Sequence, residues 1–237
     1  QRLSQIRPVI TDRSAHSGIP ENRKTGVENK MTDSKKVIEL LEKIGDKIIE
    51  EKEFLTELDK PIGDCDHGIN MARGFTEVKK KLETMADSDL GTIFKTAGMT
   101  LVSTVGGSAG PLYGTAFMKM GMVLNGKKEM SFDEFIAAFE AAVEGVKQRG
   151  KSDKGEKTML DAMIPALEAI RQTYGETKDA QSAWKAGTRA AEDGVEYTKT
   201  IIATKGRASY VGERSIGHQD PGATSFTFMM ETVEEAL

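Results

Sequence analysis

Residues 131–150 read SFDEFIAAFEAAVEGVKQRG, and this stretch shows how most of the chain is organised. Ser131 and Glu134 have the spacing of a capping box, in which the two residues satisfy each other's backbone N–H groups at the start of a helix. Gly150 stands where a C-terminal cap would end that helix. Between these positions large apolar residues recur every three or four residues, as on one face of a helix: Phe132, Phe135, Ile136, Phe139, Val143 and Val146. The stretch therefore predicts an amphipathic α-helix with one buried face.

The same periodicity predicts seven further helices. The first carries apolar residues from Val37 to Leu58 behind a cap at Thr32 or Asp33, and the second carries them from Met71 to Met85. The others are predicted at about 91–105, 114–124, 157–174, 179–203 and 222–236, with a C-terminal cap at Gly175, a turn at Asn125-Gly126 and an N-cap at Asp220. No segment alternates in the manner of a β-strand. Eight amphipathic helices joined by short links predict an all-α fold, an antiparallel helical bundle.

Composition limits the classes of protein to which the chain can belong. It has 237 residues, a formal net charge of −4 and one cysteine, which excludes an intrachain disulfide. Residues 1–30 are polar, hold six Lys/Arg against three Asp/Glu and lack periodicity. We therefore expect a disordered N-terminal extension, with Met31 as a natural start. The acidic remainder, 31–237, is expected to be a single cytoplasmic helical domain that binds no nucleic acid and no membrane.

The densest group of hard oxygen ligands is the run DKPIGDCDHGIN, which begins at Asp59. Asp59, Asp64 and Asp66 fall within eight residues, and carboxylates this close repel one another unless a cation such as Mg²⁺ or Ca²⁺ holds them. An EF-hand is excluded, because the twelfth position counted from Asp59 or from Asp64 is not glutamate. An acidic solvated loop is the simpler alternative. With His67 and Asn70 in reach of a phosphate, the run favours a magnesium and phosphate site.

Three further links between predicted helices are rich in glycine and small polar residues: 106–115 (GGSAGPLYGT), 205–214 (KGRASYVGER) and 217–224 (GHQDPGAT). Small residues let a backbone approach a ligand closely, and the N–H groups at a helix N-terminus favour anions. Neither a Walker A loop nor a Rossmann fingerprint matches. Arg207 and Arg214 suit phosphate oxygens, although either could form a surface ion pair instead. Because alternate links of an antiparallel bundle share one end, the four links predict one site for Mg²⁺ and a polyphosphate.

Residues 58–75, 106–115 and 205–225 resemble, motif by motif, the nucleotide-binding L subunit of dihydroxyacetone kinase. The match runs in order and without large gaps from Met31 to the C-terminus. Cys65 departs from the family pattern, in which glycine or alanine is common at this position. The resemblance implies a barrel-like bundle of eight antiparallel helices that binds ADP or ATP in the loops at one end.

The resemblance also implies roles for individual residues. Asp59, Asp64 and Asp66 would hold two Mg²⁺ ions that bridge the phosphates. The implied nucleotide contacts are His67, Gly68, Ile69, Asn70, Ser108, Ala109 and Arg207 at the phosphates, Gly150 and Met159 at the adenine, and Asp220, Pro221 and Gly222 on the far side. No residue of this chain would act as a catalytic nucleophile, and the histidine that holds dihydroxyacetone would lie on a partner subunit.

The partners that the resemblance implies are a K subunit and an M subunit. In the family's version with separate subunits, ADP is retained as a tightly bound coenzyme. The multiphosphoryl transfer M subunit of the phosphotransferase system rephosphorylates it in place, and the ATP then phosphorylates dihydroxyacetone on the K subunit. The absence of a K-like domain from this chain favours that version.

Other interpretations stay open at this point. The nearest is an L-type protein that exchanges free ATP and acts on dihydroxyacetone or another small hydroxy substrate. His67 or His218 could instead carry a phosphoryl group covalently. The chain could also be a nucleotide sensor that binds a transcription factor. The sequence leaves the oligomeric state undecided, a homodimer included.

Overall fold

The computed structural model of the protein describes residues 31–237, and the expectation of a disordered extension at 1–30 lies outside the described residues. Within 31–237 the chain forms nine α-helices, one 3₁₀ segment and one pair of two-residue strands, so the predicted all-α class is confirmed. None of the described helices has the length and apolar character needed to cross a membrane. The helices are α1 Ser34–Glu50, α2 Lys52–Asp59, α3 His67–Leu82, α4 Leu90–Thr104, α5 Ala109–Val123, α6 Phe132–Gly150, α7 Leu160–Thr177, α8 Ala180–Thr198 and α9 Pro221–Ala236. The 3₁₀ segment is Arg207–Ser215, and strands β1 Thr32–Asp33 and β2 Glu129–Met130 pair antiparallel.

Helix starts follow the capping chemistry predicted from the sequence. The Ser131 hydroxyl accepts the Glu134 N–H at 3.2 Å, and the Glu134 carboxylate accepts the Ser131 N–H at 2.8 Å, which confirms the capping box. Asp33 and Asp220 cap α1 and α9 by accepting the backbone N–H three residues later, at 2.8 and 2.7 Å. Each of these carboxylates satisfies an N–H group that has no partner inside its helix.

Two predicted helix ends are wrong by one or a few residues. Gly150 is the last residue of α6, and the left-handed cap is Lys151, with φ 48°. Gly175 lies inside α7, and the left-handed cap there is Lys178, with φ 55°. In both cases the lysine N–H bonds back to a carbonyl of the last turn, so the helix ends without the glycine that favours this conformation.

The first predicted helix is in fact two helices, α1 and α2, so the predicted count of eight is wrong. The break falls at Glu51, whose ψ of 9° leaves the helical region. The apolar spacing does not reveal it, because the step from Ile48 to Leu55 is seven residues, the same in a straight or a broken helix. The 3₁₀ segment was not predicted either, and α8 ends at Thr198 rather than at 203.

The helices pack in a closed circuit of neighbours. From α3 to α9 each helix contacts the next along the chain, and α1 contacts both α3 and α9. One large core cluster of the described residues draws on all nine helices. The rings of Phe135 and Trp184 lie 5.0 Å apart, and those of Phe139 and Phe226 lie 5.9 Å apart, which joins α6 to α8 and to α9. Burial of the apolar side chains of this cluster stabilises the fold, and the aromatic pairs add specific contacts between helices.

Candidate functional site

A cleft of about 870 Å³ lies where the N-termini of α3, α5, α7 and α9 come together. All four polar stretches singled out in the sequence contribute to its wall, although 205–214 and 217–224 both belong to the connection between α8 and α9. The α6–α7 link joins them, so the expected convergence is observed. Helix N-termini carry partial positive charge, which makes the cleft favourable for an anion. The cleft wall includes these residues of the expected site: Asp59, Asp64, Asp66, His67, Ser108, Ala109, Gly150, Met159, Arg207, Asp220, Pro221 and Gly222.

Three carboxylates meet on one side of this cleft. Asp59, Asp64 and Asp66 each offer a ligand oxygen, and these oxygens lie within 4.8 Å of one another. Asp59 is buried, and its Oδ2 accepts the backbone N–H groups of Asp66 at 3.0 Å and His67 at 3.4 Å. Asp59 therefore fixes the conformation of the loop and also belongs to the cluster of three carboxylates. The donor set is three hard, charged oxygen ligands, which fits Mg²⁺ or Ca²⁺.

The aspartate loop depends on two backbone positions and one apolar anchor. A Cβ at Gly63 would lie 1.9 Å from Asp59 Oδ1, so only glycine lets the loop pass this carboxylate. Cys65 has φ 61°, a left-handed conformation that turns the chain between Asp64 and Asp66. Ile62 is 2% exposed and packs with Ala203 and Ala208 in a small second core. This second core fixes the aspartate loop against the segment that carries Arg207.

Arg207 connects two of the predicted loops directly. Its guanidinium lies 2.8 Å from Asp64 Oδ2, so the surface ion pair considered for this arginine forms with the aspartate loop itself. Arg207 also lines the cleft, and a guanidinium has further N–H donors of the kind that bind phosphate oxygens. Arg214 is not among the described residues that line the cleft.

His67 lines the cleft and belongs to a buried series of hydrogen bonds that runs behind it. Its Nε2 lies 3.0 Å from Ser225 Oγ, which lies 2.7 Å from the Tyr113 hydroxyl. The Tyr113 hydroxyl also lies within donating distance of the Gly222 carbonyl, at 3.0 Å. Burial lowers the pKa of His67 to about 4, against a smaller opposing effect of Asp59, so the imidazole is neutral at neutral pH. This series of hydrogen bonds connects the N-terminal parts of α3 and α9 to α5.

Three residues expected to contact the nucleotide are not among the described residues that line the cleft: Gly68, Ile69 and Asn70. A Cβ at Gly68 would lie 2.0 Å from the Lys52 carbonyl oxygen, so this glycine allows α2 and α3 to pack closely. The Asn70 amide is buried beneath Gly106, and its Oδ1 accepts a 2.6 Å hydrogen bond from Arg73. The structure thus gives Gly68 and Asn70 supporting positions behind the wall.

Apolar side chains form another part of the cleft wall. Leu112 and Val146 line it together with the expected Gly150 and Met159. A Cβ at Gly150 would lie 3.3 Å from a Leu112 methyl group, and one at Gly222 would lie 3.5 Å from Met159 Cβ, so these residues are in close contact. Leu112 lies in the predicted link 106–115 but was not singled out there, and Val146 was missed because its spacing in the sequence is that of an ordinary core residue. The surface suits a flat apolar ring such as a nucleobase.

Buried charges that the sequence did not predict lie beside the apolar wall. Lys157 is 1% exposed and Asp161 is fully buried. Asp161 accepts the N–H groups of Gly155 and Thr158, at 2.5 and 2.8 Å. The sequence pattern predicted that a helix begins at about 157, whereas α7 begins at Leu160. Lys157 and Asp161 were therefore interpreted as residues of its first turn, and their burial was not predicted.

Asp220→Asn is expected to make the free energy of unfolding less sensitive to pH. Burial raises the pKa of Asp220 to about 7, whereas an aspartate in an unfolded chain titrates near ~3.9. As the pH rises the unfolded chain releases this proton first, so the stability that the protonated group contributes is lost progressively up to about pH 7. Asparagine keeps the cap acceptor and has no such proton. The difference in free energy of unfolding between the variant and the wild type, measured by urea unfolding, should shift by about 2 kcal/mol in favour of the variant as the pH rises from about 5 to about 8. This value allows for the partial exposure of Asp220.

Asp179→Asn provides the matched control for this prediction. Asp179 caps α8 by accepting the Ser182 N–H at 3.0 Å, as Asp220 caps α9, but its side chain is exposed. The hydrogen bonds from Ser182 lower the pKa of Asp179, so its replacement should bring no gain in stability as the pH rises. Equal pH profiles for Asp220→Asn and the wild type would contradict the raised pKa.

Comparison with known proteins gives consistent matches. Residues 61–235 match the family model described as the DAK2 domain. The chain is 46% identical over 195 residues to "PEP-dependent dihydroxyacetone kinase, ADP-binding subunit DhaL" of Escherichia coli (strain K12), covering 82% of this chain and 93% of that protein. It is 44% identical to "PTS-dependent dihydroxyacetone kinase, ADP-binding subunit DhaL" of Lactococcus lactis subsp. lactis, covering 84% of this chain and 96% of that protein.

A solved structure shares the fold. The crystal structure of the dihydroxyacetone kinase of C. freundii (native form) matches with a TM-score of 0.68 and 24% identity. The match covers 99% of this chain but 39% of that chain, so this protein spans well under half of the longer kinase. The same kinase in complex with AMP-PNP and Mg²⁺ matches with a TM-score of 0.67. At this identity the likeness shows the fold alone.

Proposed function

This chain belongs to the DAK2 domain family, as its motifs indicated, and from that premise we propose that it is the ADP-binding subunit of a phosphoenolpyruvate-dependent dihydroxyacetone kinase. Relatives named as such subunits are 42–46% identical over most of the chain. The observation that carries the proposal is the cleft, in which carboxylates, an arginine and helix N-termini lie beside an apolar wall. Residues 31–237 would act as the single helical domain that performs this function.

The three carboxylates of Asp59, Asp64 and Asp66 would hold two Mg²⁺ ions. Asp59, Asp64 and Asp66 supply charged oxygens within 4.8 Å of one another, and each Mg²⁺ in a kinase site is held by one or two carboxylates together with substrate phosphates. When bound, the ions would neutralise phosphate charge and align the phosphoryl group for transfer. The backbone N–H groups that fix Asp59 hold the loop in shape for this role.

The other cleft residues would bind and orient the nucleotide. Arg207 would donate to phosphate oxygens, and so would the backbone at Ser108 and Ala109, where α5 begins. The apolar wall around Met159 and Gly150 would hold the adenine. Together these contacts position the phosphates and offset their charge, which is the protein's main contribution to phosphoryl transfer.

The groups that activate dihydroxyacetone would lie on a K-type partner subunit. His67, the histidine that lines the cleft, is buried, neutral and hydrogen-bonded to Ser225, which leaves it poorly placed to accept a phosphoryl group through Nε2. A multiphosphoryl transfer partner of the phosphotransferase system would recharge the ADP in place. The chain would thus supply the nucleotide half of a shared active site.

The test is the nucleotide content of the purified protein. After extensive dialysis in Mg²⁺ buffer the protein is denatured, and the released nucleotide is quantified. We expect about one ADP per chain, as a retained coenzyme requires. Little nucleotide, with binding restored by added ATP, would favour a subunit that exchanges free ATP. Absence of ADP and ATP binding under both conditions would overturn the proposed function.

A further inference from the structure

The ammonium group of Lys157 lies inside a cage of backbone carbonyl oxygens. Its Nζ donates to the carbonyls of Thr198 at 2.6 Å, Ser215 at 2.7 Å and His218 at 2.5 Å, and the carbonyl of Ile201 lies at 3.4 Å. An ammonium has three N–H donors, so all of them are used and the fourth oxygen adds a longer contact. The arrangement resembles the oxygen shell of a bound monovalent cation, supplied here by a side chain.

Two features at Lys157 are unfavourable in themselves. The side chain is 1% exposed, and burying an ammonium costs free energy unless it is paired and hydrogen-bonded. Burial lowers the pKa of Lys157, while Asp220 and Asp161 raise it. Its backbone has φ 60°, a conformation that residues other than glycine rarely adopt. Such a residue persists only where the surrounding structure determines it strongly, and this often occurs at functional sites.

The four carbonyls come from the two ends of one segment, 198–218. Thr198 ends α8, and Ile201 follows it closely in the chain. Ser215 ends the 3₁₀ segment, and His218 lies in the link that leads to α9. Lys157 therefore fastens the beginning of the segment to its end, from a position in a different part of the chain.

The residues between these ends form part of the cleft. Arg207 lies in the middle of the segment and reaches Asp64 at 2.8 Å. Immediately after the segment, the Asp220 N–H donates to the Thr198 hydroxyl at 3.0 Å, and Pro221 and Gly222 line the cleft. If the two ends of this segment came apart, Arg207 and the N-terminus of α9 would move together, and both line the cleft.

We propose that Lys157 is a positioning residue for the nucleotide, whose ammonium holds segment 198–218 closed and thereby places Arg207 and the start of α9. The proposal rests on the proposed function, because it assigns the segment to nucleotide binding. The proposal requires that the Lys157 ammonium forms its hydrogen bonds to the backbone carbonyls in the nucleotide-free protein as well.

The first experiment compares Lys157→Met with the wild type. Methionine has a similar length but no charge and no donor, so the four carbonyls lose their shared partner. We expect amide hydrogen exchange in 199–219 to rise at least tenfold without nucleotide, while α3 to α6 keep their protection. Affinity for ADP with Mg²⁺ should fall at least tenfold. Lys154→Met, which removes the same charge from an exposed position three residues away, should change neither quantity.

The second experiment restores the cation. Lys157→Ala removes three methylene groups and the ammonium, which n-propylammonium can replace. Added n-propylammonium should restore ADP affinity and exchange protection in this variant but not change the wild type. The uncharged analogue 1-propanol should restore neither. If Lys157→Ala folds only with n-propylammonium present, the cation requirement is supported in the same way.

The outcomes separate this proposal from the proposed function. Normal exchange in 199–219 of Lys157→Met would overturn the proposal. A loss of ADP affinity without any change in exchange would also overturn it, since Lys157 would then act by direct contact. Equal rescue by 1-propanol and n-propylammonium would show that only the volume of the side chain matters. A wild-type protein that binds no ADP would overturn the proposed function instead, and exchange in the nucleotide-free protein would still show whether Lys157 holds the segment.

Discussion

Asp64→Ala and Asp66→Ala should each abolish Mg²⁺-dependent ADP binding while leaving the helical content unchanged. Each variant removes one of three carboxylates whose oxygens lie within 4.8 Å of one another, so under the proposed function Mg²⁺ would lose a charged ligand. Changes behind the direct ligands of a metal typically cost about 10–100-fold in affinity, so loss of a ligand should weaken ADP binding at least about 100-fold. Calorimetric titration with ADP at fixed Mg²⁺ measures the effect, and far-UV circular dichroism measures the helical content.

The control for this experiment is Asp87→Ala, which removes an exposed carboxylate between α3 and α4. It should bind ADP as the wild type does. Asp64 and Asp66 are more informative targets than Asp59, because Asp59 also accepts two backbone N–H groups and its loss would disturb the loop itself. If Asp64→Ala or Asp66→Ala keeps wild-type affinity, the three carboxylates are not the magnesium ligands.

The features that could be predicted from the sequence are those that local chemistry determines. Apolar spacing and capping residues such as Ser131 and Asp220 locate helices because they act within one or two turns. The aspartate run was recognisable for the same reason, since its three carboxylates lie within eight residues of one another in the chain. The meeting of separate links followed from the antiparallel arrangement, in which alternate links share one end.

The features that could not be predicted depend on contacts between distant residues. Lys157 bonds to carbonyls 41 to 61 residues away, and the sequence contains no pattern for backbone acceptors. Val146 lines the cleft although its spacing in α6 is that of a core residue. The break at Glu51 leaves the spacing of the apolar residues intact, so this spacing cannot reveal the break. In each case the local pattern is the same whether or not the tertiary contact is present.

Gly63→Ala should weaken Mg²⁺-dependent ADP binding by about 10–100-fold with little loss of overall stability. The added Cβ would lie 1.9 Å from Asp59 Oδ1 and 2.5 Å from its Cγ, far inside contact distance. Asp59 is 8% exposed and accepts two backbone N–H groups, so the carboxylate has little room to move without releasing them. The methyl group therefore displaces the buried carboxylate relative to Asp64 and Asp66. Titration with ADP at several Mg²⁺ concentrations should show the loss chiefly as a higher Mg²⁺ requirement.

Gly175→Ala is the same substitution at a site where the added methyl group meets nothing. Gly175 lies inside α7, and apart from the neighbouring backbone of its own helix no heavy atom lies within 4 Å of its Cβ position. Alanine should stabilise the helix by about 0.5–1 kcal/mol and leave ADP binding unchanged. If Gly63→Ala binds ADP and Mg²⁺ as Gly175→Ala does, the position of Asp59 does not control the metal site. A loss at Gly63 alone would show that a residue with no side chain sets the geometry of the carboxylates, because the loop must pass Asp59 at a distance that only glycine allows.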